Sequence, residues 1–361
     1  MLVYCIEVNM KKIRTALIGF GLSGAVFHAP YIERSDKYEL AAICSSRTEE
    51  ILRQYPGILV TNDQTELLNA KDIDLVVIAT PTATHFPLAH AALNNGKHVV
   101  VEKPFVINSD EGRKLAELAL RHNLTLSVYQ NRRYDNDYLA LVKCISDGLL
   151  GTIYSAEFRF DRFRPQATQR WKDCDIPGAG CLYDIAPHMI DHSLALFGWP
   201  ETIYAEIDRQ RPDSCATDYL HILLGYGKLK VNLRFSNFAL HSGPRMLIYG
   251  DKGTFIKYGM DPQERLQPLI SSGVTCSNAA AVSACLDNTT DLYYQQGSIQ
   301  QHQKIDYPIG NYGKYYDDLY GAIVNNTAPP VTAEEATNVI RIIELATQSA
   351  NLGKRLDIRI Q

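Results

Sequence analysis

The strongest constraint in this chain is a short apolar strand pattern, residues 13–18, that runs straight into Gly19-Phe20-Gly21-Leu22-Ser23-Gly24 and then into a helical pattern over 25–34. A lone GxGxxG is weak evidence, but one set between a strand and a helix is specific for a dinucleotide site. Gly19 permits the tight turn, Gly21 lets the backbone approach a pyrophosphate, and Gly24 allows close helix–strand packing. The helix N-terminus supplies the anion site, and Leu22 and Ser23 belong to the same cofactor turn. Strand patterns follow at 39–44, 73–80, 98–102 and 124–129, and helical patterns at 65–69, 85–95 and 109–122, the last with Ser109 as N-cap. Leu75-Val76-Val77-Ile78 is apolar throughout, as burial on both faces of a sheet requires. This alternation predicts a doubly wound parallel sheet.

The rhythm changes near residue 150. A long alternating run covers 153–163, and strands are expected at 202–208, 220–224, 229–235, 246–249 and 254–257. Gly-rich turns at 225–228 and 250–253 mark hairpins. Helices are expected at 314–325 and 333–352, and 260–311 reads as irregular loop. The fold class is therefore α/β: an N-terminal Rossmann domain over residues 1–131, then a C-terminal α/β domain over 132–361 with an open, mainly antiparallel sheet. A chain of 361 residues suits two domains. Residues 1–9 read as an upstream extension, with Met10 as the translation start.

Composition narrows the function. A net charge of −4 gives no basic footprint, so nucleic acid is not an expected partner. No apolar stretch reaches the ~18 residues of a membrane span. The eight cysteines form no CxxC pair and no zinc spacing, so no metal is expected and a reducing cytoplasm is the expected setting.

Three groups of residues carry the expected chemistry. At the end of the second strand, a ribose 2′-hydroxyl calls for an acidic residue. This chain has Ser45-Ser46-Arg47, which suits a 2′-phosphate, so NADP is expected rather than NAD. Thr80 and Pro81 close the next strand beside the cofactor; His85 either contacts it or caps the following helix. Glu102-Lys103-Pro104 ends a central strand and aims a cation at the cleft, where it stabilises an alkoxide. Glu102 positions that lysine or the cofactor. Asp184 and His188, four residues apart, share a helix face after the flexible entrance Pro177-Gly178-Ala179-Gly180. His188 is the natural general base, its ordinary pKa being near neutrality. Asp184 holds a substrate hydroxyl or orients the imidazole, and Asp191 holds the helix or the His188 ring. Arg162, with Trp171 beside Arg170, faces the cleft as a binder of a polyol or anionic substrate, or else the arginines make surface ion pairs; Tyr129 and Arg133, after the last Rossmann strand, line the same cleft.

From residue 13 to about 359 the chain resembles the Gfo/Idh/MocA oxidoreductases, on the glycine turn, Glu102-Lys103-Pro104 and the Asp184/His188 pair. A narrower resemblance is to NADP-dependent scyllo-inositol dehydrogenases and their relatives. It rests on Phe27-His28-Ala29-Pro30, Asn131-Arg132-Arg133 and Phe160-Asp161-Arg162-Phe163-Arg164-Pro165. Ala179 and Ala186 depart from it, standing where relatives often have glycine. The resemblance implies a cytoplasmic dehydrogenase oxidising a secondary alcohol of a cyclic polyol or sugar. It implies Lys103, Asp184 and His188 as the catalytic and substrate-holding residues, and a homodimer or homotetramer formed through the C-terminal sheet. Two other readings remain open: a catalytically silent cofactor-binding regulator, and a reductase of a non-carbohydrate.

Overall fold

The computed structural model describes residues 12–168, 171–264, 289–305 and 308–359. The proposed extension before Met10 lies outside them. Six parallel strands form the first sheet: β1 (Ile13–Ile18), β2 (Tyr38–Cys44), β3 (Leu59–Thr61), β4 (Leu75–Ile78), β5 (His98–Glu102) and β6 (Leu126–Tyr129). Their order is β3-β2-β1-β4-β5-β6, so it reverses between β1 and β4, and ligands bind at the carboxyl ends beside such a switch point. Five helices connect them: α1 (Ala29–Glu33), α2 (Thr48–Gln54), α3 (Gln64–Asn69), α4 (His85–Asn94) and α5 (Ser109–His122). Leu75, Val76, Val77, Ile78, Val99, Val100 and Val101 are fully buried, each contributing roughly 1.5–3 kcal/mol by leaving water.

Local differences from the sequence reading have physical causes. The helix expected over 25–34 is split into a wide π-turn, Gly24–His28, and α1. Pro30 has no N–H for the carbonyl four residues back, and the Ala29 N–H reaches Gly24 instead. α2 and β3 were not expected: both are short, and β3 is half-exposed. Asn108, not Ser109, caps α5, its side chain accepting the Glu111 N–H at 3.0 Å.

The second half begins with α6 (Asn136–Ser146), also not foreseen, and builds a nine-stranded sheet. Its strands are β7 (Ile153–Arg159), β8 (Thr202–Asp208), β9 (Tyr219–Tyr226), β10 (Leu229–Phe235), β11 (Met246–Gly250), β12 (Gly253–Lys257), β13 (Thr290–Gln296), β14 (Ile299–Lys304) and β15 (Leu356–Asp357). The order is β14-β13-β12-β11-β7-β10-β9-β8-β15, antiparallel at every pair except β7–β10. β7 ends four residues before the expected limit, with only an isolated bridge from Phe163 to Phe238 beyond it. The β13–β14 hairpin corrects the irregular reading of 260–311, whose residues 265–288 lie outside the described part. Alternation sends Ile203, Ala205, Leu220, Ile222, Leu224, Val231 and Leu233 into the core, while Tyr154 and Tyr249 stay exposed.

α7 (Cys181–Asp184), α8 (Ala186–Phe197), α9 (Gly313–Asn325) and α10 (Ala333–Leu352) complete the chain. The last two helices return to the nucleotide-binding half. α10 packs on α5 so closely that a Cβ on Gly112 would lie 2.4 Å from Thr337 Oγ1. α9 brings Tyr315 and Tyr316 against Tyr129 and Tyr38, with ring centroids 4.7 Å apart for Tyr129–Tyr315. This packing fixes the second half over the carboxyl ends of the parallel strands.

Candidate active site

The glycine turn is shaped by close backbone contacts. Gly19 leaves β1 at φ +102°, and a Cβ there would lie 2.4 Å from the Ala79 carbonyl oxygen. A Cβ on Gly24 would lie 2.1 Å from the Gly19 oxygen. Nothing occupies the 4 Å around the corresponding point on Gly21, so its backbone is open to a pyrophosphate. Leu22 stands exposed beside it. The Ser23 hydroxyl is already used: it donates to Glu102.

Glu102 is a buried brace. One carboxylate oxygen accepts from Ser23 and lies 3.0 Å from His28 Nε2; the other accepts the Lys103 N–H at 2.9 Å. His28 Nδ1 lies 2.7 Å from the Tyr316 hydroxyl. Burial alone would raise the carboxyl pKa, but the His28 and Ser23 hydrogen bonds and the Lys103 charge bring it below its ordinary value. Glu102 thus joins the glycine turn, the strand end and α9, a linkage the sequence did not reveal.

At the carboxyl end of β2, Ser45 Oγ accepts the Arg47 N–H at 3.2 Å, with Ser46 exposed between them. Arg47 is half-exposed, and its nearest carboxylate is Glu50 on its own helix at 3.6 Å. Thr80 Oγ1 lies 2.6 Å from Thr84 Oγ1, which donates to Pro81 O at 2.8 Å. His85 is buried, its two ring nitrogens 2.9 Å from the Thr80 and Pro104 carbonyl oxygens. It fastens the Thr80 loop to the segment after Lys103.

The reacting end arises from a helix break. Pro187 offers no N–H to the Tyr183 carbonyl, so α7 stops at Asp184 and α8 begins at Ala186. Asp184 and His188 therefore sit on two helices rather than on one shared face. The His188 N–H bonds Ile185 O, leaving the Asp184 carbonyl for Lys103 Nζ, 2.8 Å away. The same ammonium lies 3.2 Å from Asp184 Oδ1. Lys172, absent from the sequence reading, places its Nζ 2.5 Å from that same oxygen. Burial would raise the Asp184 pKa, but the two ammoniums and Arg162 hold it far below the usual carboxylate range. Burial lowers the Lys103 pKa, and the Asp184 charge opposes that fall. The expected flexible entrance is a fixed turn: Gly180 has φ +79°, and a Cβ there would lie 2.3 Å from Thr217 Oγ1.

His188 is 6% exposed, and its Nδ1 has no hydrogen-bond partner among the described residues. Its ring stacks on Phe160 with centroids 5.7 Å apart at 20°. Phe160 also carries the Arg245 guanidinium, 3.9 Å from its centroid, and Arg245 donates to buried Asp137 at 2.7 Å. Burial, and then the charges of Lys103, Arg132, His192 and Arg245, push the His188 pKa well below 6.5. The imidazole is neutral at pH 7 for this reason, not because its ordinary pKa is near neutrality. Phe160 and Arg245 carried no signal in the sequence for this role, because strands far apart in the chain bring them together.

Tyr129 is fully buried, its hydroxyl donating to Phe27 O at 3.0 Å. Arg133 grips Asp191 through two nitrogens at 2.8 and 2.7 Å and Glu335 at 2.9 Å. It lines a cavity of about 130 Å³ with Leu194, Gly198 and Trp199. Tyr129 and Arg133 are thus engaged in packing and ion pairs, and Asp191 pairs with Arg133. Arg162 is half-buried over the Phe235 ring, and Trp171 is partly exposed with Lys172 Nζ 5.7 Å from its centroid.

The parallel sheet with its open glycine turn, facing a half-buried lysine–carboxylate pair beside a buried histidine, defines a nicotinamide-dependent oxidoreductase. The chain belongs to the Gfo/Idh/MocA oxidoreductase family: residues 13–130 match its NAD-binding Rossmann fold and residues 142–358 its C-terminal alpha/beta domain. It is an NAD(P)-dependent dehydrogenase or reductase of small molecules with CH–OH groups. It is 38% identical over 342 residues to scyllo-inositol 2-dehydrogenase (NADP(+)) IolW of Bacillus subtilis (strain 168), covering 95% of each chain. It is also 38% identical to the uncharacterized oxidoreductase YdgJ of Escherichia coli (strain K12), covering 94% of this chain and 96% of that one. The solved structure of yvaA from Bacillus subtilis superposes with a TM-score of 0.91 at 36% identity, covering 97% of this chain and 99% of that one. Among the described residues, no helix is long and apolar enough to cross a membrane.

Proposed function

We propose that this enzyme reversibly oxidises a secondary alcohol on a cyclic polyol or sugar, an inositol-type ring being favoured, with NADP as cofactor. The observation that carries the reading is the meeting of Lys103 from the nucleotide-binding half with Asp184 from the other half, with His188 in the next helical turn. A nicotinamide held there would supply the hydride acceptor for the carbinol carbon, or the donor in the reverse direction. Neutral His188 takes the hydroxyl proton as the C=O bond forms. The Lys103 ammonium stabilises charge developing on that oxygen. Asp184, held by two ammoniums, accepts from a neighbouring substrate hydroxyl and orients the ring. Gly19, Gly21, Leu22 and Gly24 form the pyrophosphate turn, Thr80 and Pro81 flank the nicotinamide end, and Glu102 braces both.

The NADP preference is supported by Ser45-Ser46-Arg47 in place of an acidic residue at the end of β2, and by the cofactor in the IolW name. The inositol-type ring is supported by that same name. The reading assigns residues 1–131 to cofactor binding and 132–361 to substrate binding and to a homodimer or homotetramer in the cytoplasm. The test is turnover of a polyol panel with each cofactor. Lys103→Ala and His188→Ala should each lower turnover by about a hundredfold or more while cofactor binding persists. Near-wild-type rates in either variant would reject these roles.

A further inference from the structure

We propose that the preferred substrate carries a carboxylate away from the reacting carbinol, as in a sugar acid, and that Arg162 receives it. This rests on the proposed oxidation of a ring alcohol and, within it, puts an acidic sugar in place of the inositol-type ring. The charge around the reacting end is unbalanced: Lys103, Lys172 and Arg162 all act on the single carboxylate of Asp184. Other nearby carboxylates are already engaged. Glu264 lies 2.9 Å from Arg132, Asp173 lies 2.7 Å from Arg211, and Asp161 accepts the Ser236 N–H at 3.1 Å.

Arg162 makes no side-chain hydrogen bond or ion pair among the described residues. Its guanidinium is held over the Phe235 ring, 5.7 Å from the centroid. An arginine drawn this far from water without a carboxylate is costly. Burial, then Arg164 and Arg132, work against its charge, and Asp184 and Glu264 only partly offset them. Its position is built: the Arg162 N–H bonds Ser236 O at 2.8 Å, and its carbonyl accepts the Ala239 N–H at 3.0 Å. The cofactor phosphates do not answer this charge, because the glycine turn and Arg47 stand at other strand ends while Arg162 acts at Asp184. One guanidinium in a low-dielectric site matches one carboxylate in a bidentate pair.

The test compares NADP-dependent oxidation of an inositol, an aldohexose, the matching uronate and the matching hexose phosphate by wild type, Arg162→Gln and Arg162→Lys. The uronate should exceed both neutral compounds in kcat/KM by at least about tenfold. Arg162→Gln should remove that advantage mainly through KM, with the uronate losing at least about tenfold more than either neutral compound, and be partly rescued by Arg162→Lys. Calorimetric binding of the uronate to the NADPH complex should weaken in parallel; the wild-type comparison alone decides if a variant does not fold. Neutral substrates equal to or better than the uronate would overturn this inference and leave the polyol reading standing. So would preference for the phosphate, or equal losses on acids and neutrals in Arg162→Gln. No turnover of any of the four compounds would overturn both.

Discussion

The two halves of the site are built by different means. In the nucleotide-binding half, position is set by the backbone: Gly19 and Gly24 lie too close to carbonyl oxygens to bear a side chain, and Glu102 fixes the strand end through three short-range bonds. In the other half, position is set by long side chains and charge: Lys172 on Asp184, Phe160 under His188, and Arg245 on Phe160. A backbone-built site recurs as a contiguous motif. A side-chain-built site is assembled from the residue after β7, the residue before β11 and the loop before α7, and leaves no local pattern.

This contrast can be broken by experiment. The largest effect is expected at Arg133, which pairs with Asp191. Arg133→Met leaves buried Asp191 without its bidentate partner and should cost about 3–5 kcal/mol of stability by denaturant unfolding. Turnover of the remaining folded enzyme should persist; a selective rise in substrate KM would place Arg133 in the cleft. Next, Glu102→Ala removes the partner of half-buried Ser23 and of buried His28 Nε2 and should cost about 1–3 kcal/mol, with weaker cofactor binding. Unchanged cofactor affinity and melting temperature would remove Glu102 as a brace. Arg47→Ala should raise KM for NADP about tenfold, or about 1.4 kcal/mol, and leave NAD nearly unaffected. Equal changes for both cofactors would end the NADP assignment.

The smallest effect is on the pH profile. The His188 pKa is depressed by burial and surrounding cations, so its neutral form persists as pH falls through 6.5. Its contribution to stability is present above the ordinary histidine pKa and is lost as pH falls towards the lower folded-state value. Alcohol oxidation should therefore show no acid limb at 6.5 assignable to His188, the limb lying lower. A limb at 6.5 that vanishes in His188→Gln would contradict the depressed value.

The sequence made the first half largely legible. The strand–turn–helix motif, the apolar strands and the lysine at a strand end each follow from period and spacing. Its failures were local: Pro30 forced the π-turn, and short, half-exposed β3 gave little signal. In the second half, Asp184 and His188 were visible by spacing, but the Pro187 break that frees the Asp184 carbonyl was not drawn from that proline. The ring contacts of Tyr129 and the ion pair of Arg133 with Glu335 were not legible, because α9 and α10, nearly 200 residues later, return to make them. Lys172, Phe160 and Arg245 required the tertiary fold.

The central claim is that Lys103 and His188, one from each half, act as a unit on the same alcohol. A double-mutant cycle in turnover tests it most directly. The account predicts that Lys103→Ala combined with His188→Ala is scarcely slower than the worse single variant. Losses that multiply, as for two independent sites, would contradict it.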